Sequence, residues 1–150
     1  PAGGTDVLRA MATRARREGG QWILDGTKAW VCGAARARFL IVVARTAEGK
    51  TDGVTMFIVP ADTPGITLRR IETFAVRAFD VCEVRFEGVR LTDEQVLGAE
   101  GKGFRQLVAM LNASASDGFV TPAHLDLILI GRDVDDLLDR MAAYQPPAKG

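Results

Sequence analysis

The chain has 150 residues, enough for one domain or one domain with a small appendage, and its 47% apolar fraction suffices for a single core. Its 19 Lys and Arg balance 19 Asp and Glu, so no global field draws it to nucleic acid or to an anionic membrane. No apolar run reaches the length of a membrane span, and Cys32 and Cys82 form no disulfide framework or metal-ligand spacing. They read as free thiols in a reducing cytoplasm, with a bridge between them left open.

The chain opens on Pro1 within a turn motif, PAGGTD, and reads as an internal stretch of a longer protein; no signal-peptide pattern opens the stretch itself. TRARRE (13–18) is followed by Gly19-Gly20, QWILDG (21–26) and TKAWV (27–31), and the Asp25-Gly26 pair predicts a hairpin turn. RFLIVVAR (38–45) is a continuous apolar run, the pattern of a strand buried on both faces. VTMFIVP (54–60) follows the turns at Glu48–Lys50 and Asp52-Gly53, and stops at Pro60 and Thr63-Pro64-Gly65. ITLRRIE (66–72) alternates as a half-exposed strand, and VCEVRFEGVRL (81–91) puts Val84 and Phe86 opposite Glu83, Arg85 and Glu87. Short strands joined by short turns predict a mainly β protein, an antiparallel sandwich or barrel spanning residues 1–98.

From Gly103 the period turns helical, with Phe104, Leu107, Val108 and Leu111 on one face, and a helix leads out over 99–116. Residues 117–150 form a β-α tail: Asp117-Gly118 and Thr121-Pro122 break the helix, LDLILIG (125–131) reads as a strand and RDVDDLLDRMAAY (132–144) as an amphipathic helix. Asp133, Asp135 and Asp136 compensate that helix's dipole. His124 is the one histidine, so neither a His-based triad nor a two-His metal site is available.

Three features offer chemistry. In PAGGTD, backbone N–H groups and the Thr5 hydroxyl can hold phosphate oxygens, or the segment is an ordinary loop. In KAWVCGA (28–34), Trp30 and Cys32 share one strand face and Gly33 bares backbone, which suits core packing or one wall of a site for something flat. Arg77, in FAVRAFD, can pair with an acid or a phosphate or stay solvated.

In order, these motifs resemble the middle β-domain of the acyl-CoA dehydrogenase family over residues 1 to about 113. Pro1, Gly3, Gly4, Thr5 and Asp6 match the family's Glu-Pro-x-Gly/Ala-Gly-Ser/Thr-Asp loop, with the glutamate position falling before residue 1. Asp25, Gly26, Lys28, Trp30 and Val31 match its Asn/Asp-Gly-x-Lys-x-Trp-Ile/Val-Ser/Thr strand. RAFDVCEVRFEGVRLTDEQVLGAEGKGFRQL resembles its closing strand and its entry to the last helical domain.

The resemblance implies FAD as cofactor and an acyl-CoA as substrate. Gly4 and Thr5 would meet the pyrophosphate, Trp30 and Val31 would flank the isoalloxazine, and Asp6 and Arg77 would face the acyl-CoA. Cys32 stands where the family has a hydroxyl that bonds flavin N5, so a weaker S–H or a backbone N–H would replace that contact. The glutamate that removes the α-proton belongs to a helical domain expected outside these residues. No residue of this chain inherits a catalytic role, and the missing helical domains or a second copy would be its partners.

Residues 117–147 also resemble the carboxyl end of LOG-type nucleoside-monophosphate phosphoribohydrolases, once labelled lysine decarboxylases, though without that family's glycine-rich motif. Two further readings stand beside the flavoprotein: a degenerate, non-catalytic β-domain serving binding or oligomerisation, and a nucleotide-processing protein argued from the tail.

Overall fold

The structure, a computed structural model, describes residues 11–49, 52–74, 80–116 and 143. Six strands, β1 (Arg14–Glu18), β2 (Gln21–Cys32), β3 (Phe39–Arg45), β4 (Val54–Pro60), β5 (Ile66–Arg70) and β6 (Val81–Leu91), precede one helix, α1 (Gly103–Ser116). The strands belong to a unit that ends at Gln106, and the remainder of α1 belongs to a second unit. The strand and helix expected at 125–131 and 132–144 lie, apart from the helical Ala143, outside the described residues. No helix among the described residues is long and apolar enough to cross a membrane.

The sheet order is β4-β3-β1-β2-β6-β5. All neighbours pair antiparallel except β1 and β3, which run parallel where Arg14 meets Arg45. The parallel contact follows from two reversals. β2 returns antiparallel to β1, and a 3-10 turn over Ala34–Arg36 reverses the chain again before β3 takes the far side of β1. The sheet curls. Trp22 of β2 and Phe57 of β4 stand about three strand spacings apart in that order, roughly 14 Å if the sheet were flat. Their rings instead meet edge-on at 5.5 Å. Leu24, Leu40, Val42, Val59, Val84, Phe86 and Leu91 fill the same core.

The hairpin turn falls at Gly19-Gly20, with φ of 58° and 79° and Glu18 paired to Gln21. The Asp25-Gly26 pair, expected to turn the chain, lies inside β2 instead. Gly26 has φ 137°, and a Cβ there would stand 2.6 Å from Thr13 Cα. On the facing strand β6 carries one extra residue between the pairs Leu24↔Val89 and Gly26↔Phe86. Asp25 serves that bulge: its Oδ1 accepts the Gly88 N–H at 2.7 Å, and its Oδ2 meets Arg16 at 2.5 Å. These two contacts, the Gly88 bond first, hold the Asp25 carboxyl below its ordinary value. The local signal was a real glycine requirement, but tertiary packing rather than a turn created it.

The run 38–45 is also corrected. Leu40, Val42 and Ala44 are buried, whereas Phe39 and Ile41 are exposed, as is Ile58 across from Ile41. β3 therefore buries one face. β6 alternates as expected, with Val84 and Phe86 inside, and α1 begins at Gly103, where any Cβ would crowd Met56 at 3.0 Å.

Candidate functional site

The far end of β2 is where the strand departs from regular geometry. Trp22, Leu24, Gly26 and Lys28 occupy alternate positions, and Lys28 sits opposite the buried Val84, so this row faces the core. Beyond Lys28 the register slips. Val31 pairs with Cys82, leaving three steps along β2 against two along β6, and the surplus residue is accommodated at Trp30. Trp30 has φ 61°, the one positive φ of a non-glycine residue among those described. A bulky side chain in the left-handed region costs about 1–3 kcal/mol. It is also 67% exposed, so no buried contact offsets that cost.

Cys32 follows on the same exposed side, its Sγ 3.9 Å from the Trp30 carbonyl oxygen, while Val31 between them packs against the core. Gly33 then takes a left-handed conformation (φ 72°), donates its N–H to the Asp80 carbonyl at 2.7 Å, and has open space where a side chain would stand. The Asp80 carboxylate lies between Arg36 (3.8 Å) and Arg70 (3.3 Å), which ties the 3-10 turn after Gly33 to the ends of β5 and β6. Trp30 and Cys32 are thus brought together as one exposed ledge with bare backbone beside it, while the Val31 side chain turns to the core. Gly4, Thr5, Asp6 and Arg77 lie outside the described residues. Cys32 and Cys82 are both free, and Cys82 is a core residue.

Two features escaped the sequence reading. Burial pulls the Lys28 ammonium down from 10.5 to about 8. The signal was present: Lys28 continues the alternation of Trp22 and Leu24, which points it inward. The Arg36–Asp80–Arg70 bridge joins positions far apart in sequence, and nothing local announces it.

The ledge offers a flat aromatic face, approachable backbone and a thiol. Among the described residues no group of three His, Cys, Asp or Glu could hold a metal ion. The arrangement suits binding the edge or face of a planar ring.

The description "Acyl-CoA dehydrogenase, middle domain" fits residues 1–89. The short-chain specific acyl-CoA dehydrogenase of Rattus norvegicus mitochondria is 37% identical over 107 residues, covering 70% of this chain and 26% of the relative. Acyl-CoA dehydrogenase FadE12 of Mycobacterium tuberculosis is 34% identical over 138 residues, 91% of this chain and 36% of the relative. Among solved structures, a probable acyl-CoA dehydrogenase from Mycobacterium abscessus superposes with a TM-score of 0.71 at 31% identity, over 76% of this chain and 30% of that one. A glutaryl-CoA dehydrogenase from Mycobacterium smegmatis in complex with FADH2 gives 0.60 at 39% identity, over 69% and 26%. The chain therefore spans about a quarter to a third of the length of the relatives it matches.

Proposed function

The chain belongs to the acyl-CoA dehydrogenase family, within which it carries the middle domain, and from that premise we propose that it forms the FAD- and acyl-CoA-facing part of such a dehydrogenase. The observation that carries the reading is Trp30: an exposed tryptophan held at φ 61° by a register slip is a residue placed for something other than the core. The residues fit a flavin, because the open space over Gly33 and the exposed Trp30 face leave room for a flat ring. When bound, FAD would accept the electrons of the α,β-dehydrogenation of an acyl-CoA thioester.

This chain's own part is binding and orientation. Trp30 and Val31 flank the ring, the Cys32 thiol or a backbone N–H stands in for a hydroxyl beside it, and Gly4 and Thr5 hold the pyrophosphate. Asp6 and Arg77 face the acyl-CoA. No glutamate of the chain is assigned α-proton removal, so the chain alone gives no turnover with an acyl-CoA and an electron acceptor. The match to FadE12 covers 91% of the chain and so runs into residues 117–147, which favours one continuous dehydrogenase segment over a phosphoribohydrolase-like tail. Free Cys32 and Cys82 support a reducing, cytoplasmic setting.

The exposed Phe39, Ile41 and Ile58 favour a second reading, a non-catalytic domain that covers this face with helical domains or another copy. Titrating the purified chain with FAD separates the two. Quenching of flavin fluorescence and retained yellow colour support the flavin reading; unquenched flavin that washes away removes it and leaves the binding module.

A further inference from the structure

We propose that Asp80 is the positioning residue of the Trp30–Cys32 ledge: its carboxylate, held between Arg36 and Arg70, fixes the Gly33 turn and so locks the bulge that presents Trp30. The ledge lies beyond the register slip, where little holds β2 in place. After Lys28↔Val84 only the pairs Val31↔Cys82 and Cys32↔Val81 follow before the strand ends. The Gly33 N–H then bonds the Asp80 carbonyl at 2.7 Å and closes the end of the β2–β6 ladder. A bulky residue at φ 61°, as Trp30 is, persists only where its surroundings over-determine it. A short strand end opens readily on its own, and opening here would let Trp30 relax.

The Asp80 carboxylate supplies the missing constraint from two sides. Its Oδ2 lies 3.8 Å from Arg36 Nε, in the 3-10 turn that follows Gly33. Its Oδ1 lies 3.3 Å from Arg70 Nη2, at the end of β5. Arg70 is in register with Cys82, which pairs with Val31, so the second arm returns to the row beside the bulge. The Asp80 side chain is 18% exposed, whereas Asp52, which also meets two cations, is 57% exposed. Shielding of this kind keeps an ion pair from being screened away. Backbone and side chain of Asp80 thus join β6, β5 and the Gly33 turn at one point. What the ledge binds rests on the function proposed above; what holds it rests on this geometry alone.

The test is residue-resolved amide hydrogen exchange on the purified chain and on Asp80→Asn, Asp80→Glu, Arg36→Gln and Asp52→Asn, each then titrated with FAD. In Asp80→Asn the Gly33 N–H is expected to exchange about threefold to tenfold faster, the effect of losing two modest ion pairs. The Leu97 N–H, bonded to the Met56 carbonyl at 2.9 Å on the β4 side of the sheet, should keep its rate. FAD affinity should fall by a factor similar to that at Gly33. Asp80→Glu should restore both readings, because the exposed arginines can follow the longer side chain. Arg36→Gln, a change at an exposed residue that spares the fold, should give a smaller shift in the same direction, and Asp52→Asn none at Gly33. An unchanged Gly33 rate in both Asp80→Asn and Arg36→Gln, or equal acceleration at Leu97, would overturn the proposal. So would local acceleration with undiminished affinity in a chain that binds FAD. If the parent chain binds no FAD, the flavin assignment falls, while acceleration confined to Gly33 still supports Asp80 as what holds the ledge.

Discussion

One strand holds both tryptophans, and its two ends treat them in opposite ways. Trp22 is 1% exposed, lies edge-on to Phe57, donates its indole N–H to Asp93 at 2.9 Å and lies under Arg17 at 4.2 Å. Trp30 is 67% exposed, sits in a left-handed bulge and makes no recorded ring contact among the described residues. The same side chain is a keystone at one end and a ledge at the other. The difference lies in register: β2 and β6 stay in step around Trp22 and fall out of step before Trp30.

Substitutions can break that comparison at each point. The largest effect is expected for Trp22→Ala, which removes the ring contact and the Asp93 bond and should cost about 3–5 kcal/mol in urea unfolding. Next is Gly26→Ala, which needs φ 137° and a Cβ 2.6 Å from Thr13 Cα; a loss of about 2–3 kcal/mol by the same measurement is expected.

Lys28→Met should act in the other direction. Burial lowers Lys28 from 10.5 to about 8. Between those values the unfolded chain binds the proton that the native chain has released, so native stability rises with pH across this window. Below it the penalty is complete. The methionine variant should therefore be more stable at pH 7 by roughly 1–2 kcal/mol, with partial solvent contact discounting the full shift. Its advantage should fade as unfolding is repeated from pH 8 towards 10.5. An advantage that does not change with pH would mean that packing, not charge burial, separates the two side chains.

Much of this architecture was legible in the chain. Alternation in 81–91 marked which residues of β6 face inward, and the helical period marked the start of α1 at Gly103. The errors have one cause. Asp25-Gly26 has the composition of a hairpin turn, but its glycine is demanded by Thr13 on the neighbouring strand. The apolar run of β3 suggested two buried faces, yet burial depends on what lies against each face, and Phe39 and Ile41 are exposed. The motif around Trp30 was recognisable by its order along the chain. Its backbone conformation was not, because the positive φ arises from a mismatch with β6 some fifty residues away, between Val84 and Cys82.

The central claim is that Trp30 is held for a ligand rather than for the fold, and Trp30→Gly tests it most directly. Glycine accepts φ 61° without strain, so urea unfolding should stay unchanged or shift up by as much as about 1 kcal/mol, while FAD affinity falls about tenfold or more. A variant that loses several kcal/mol of stability, or that quenches flavin fluorescence as well as the parent chain does, would contradict the account.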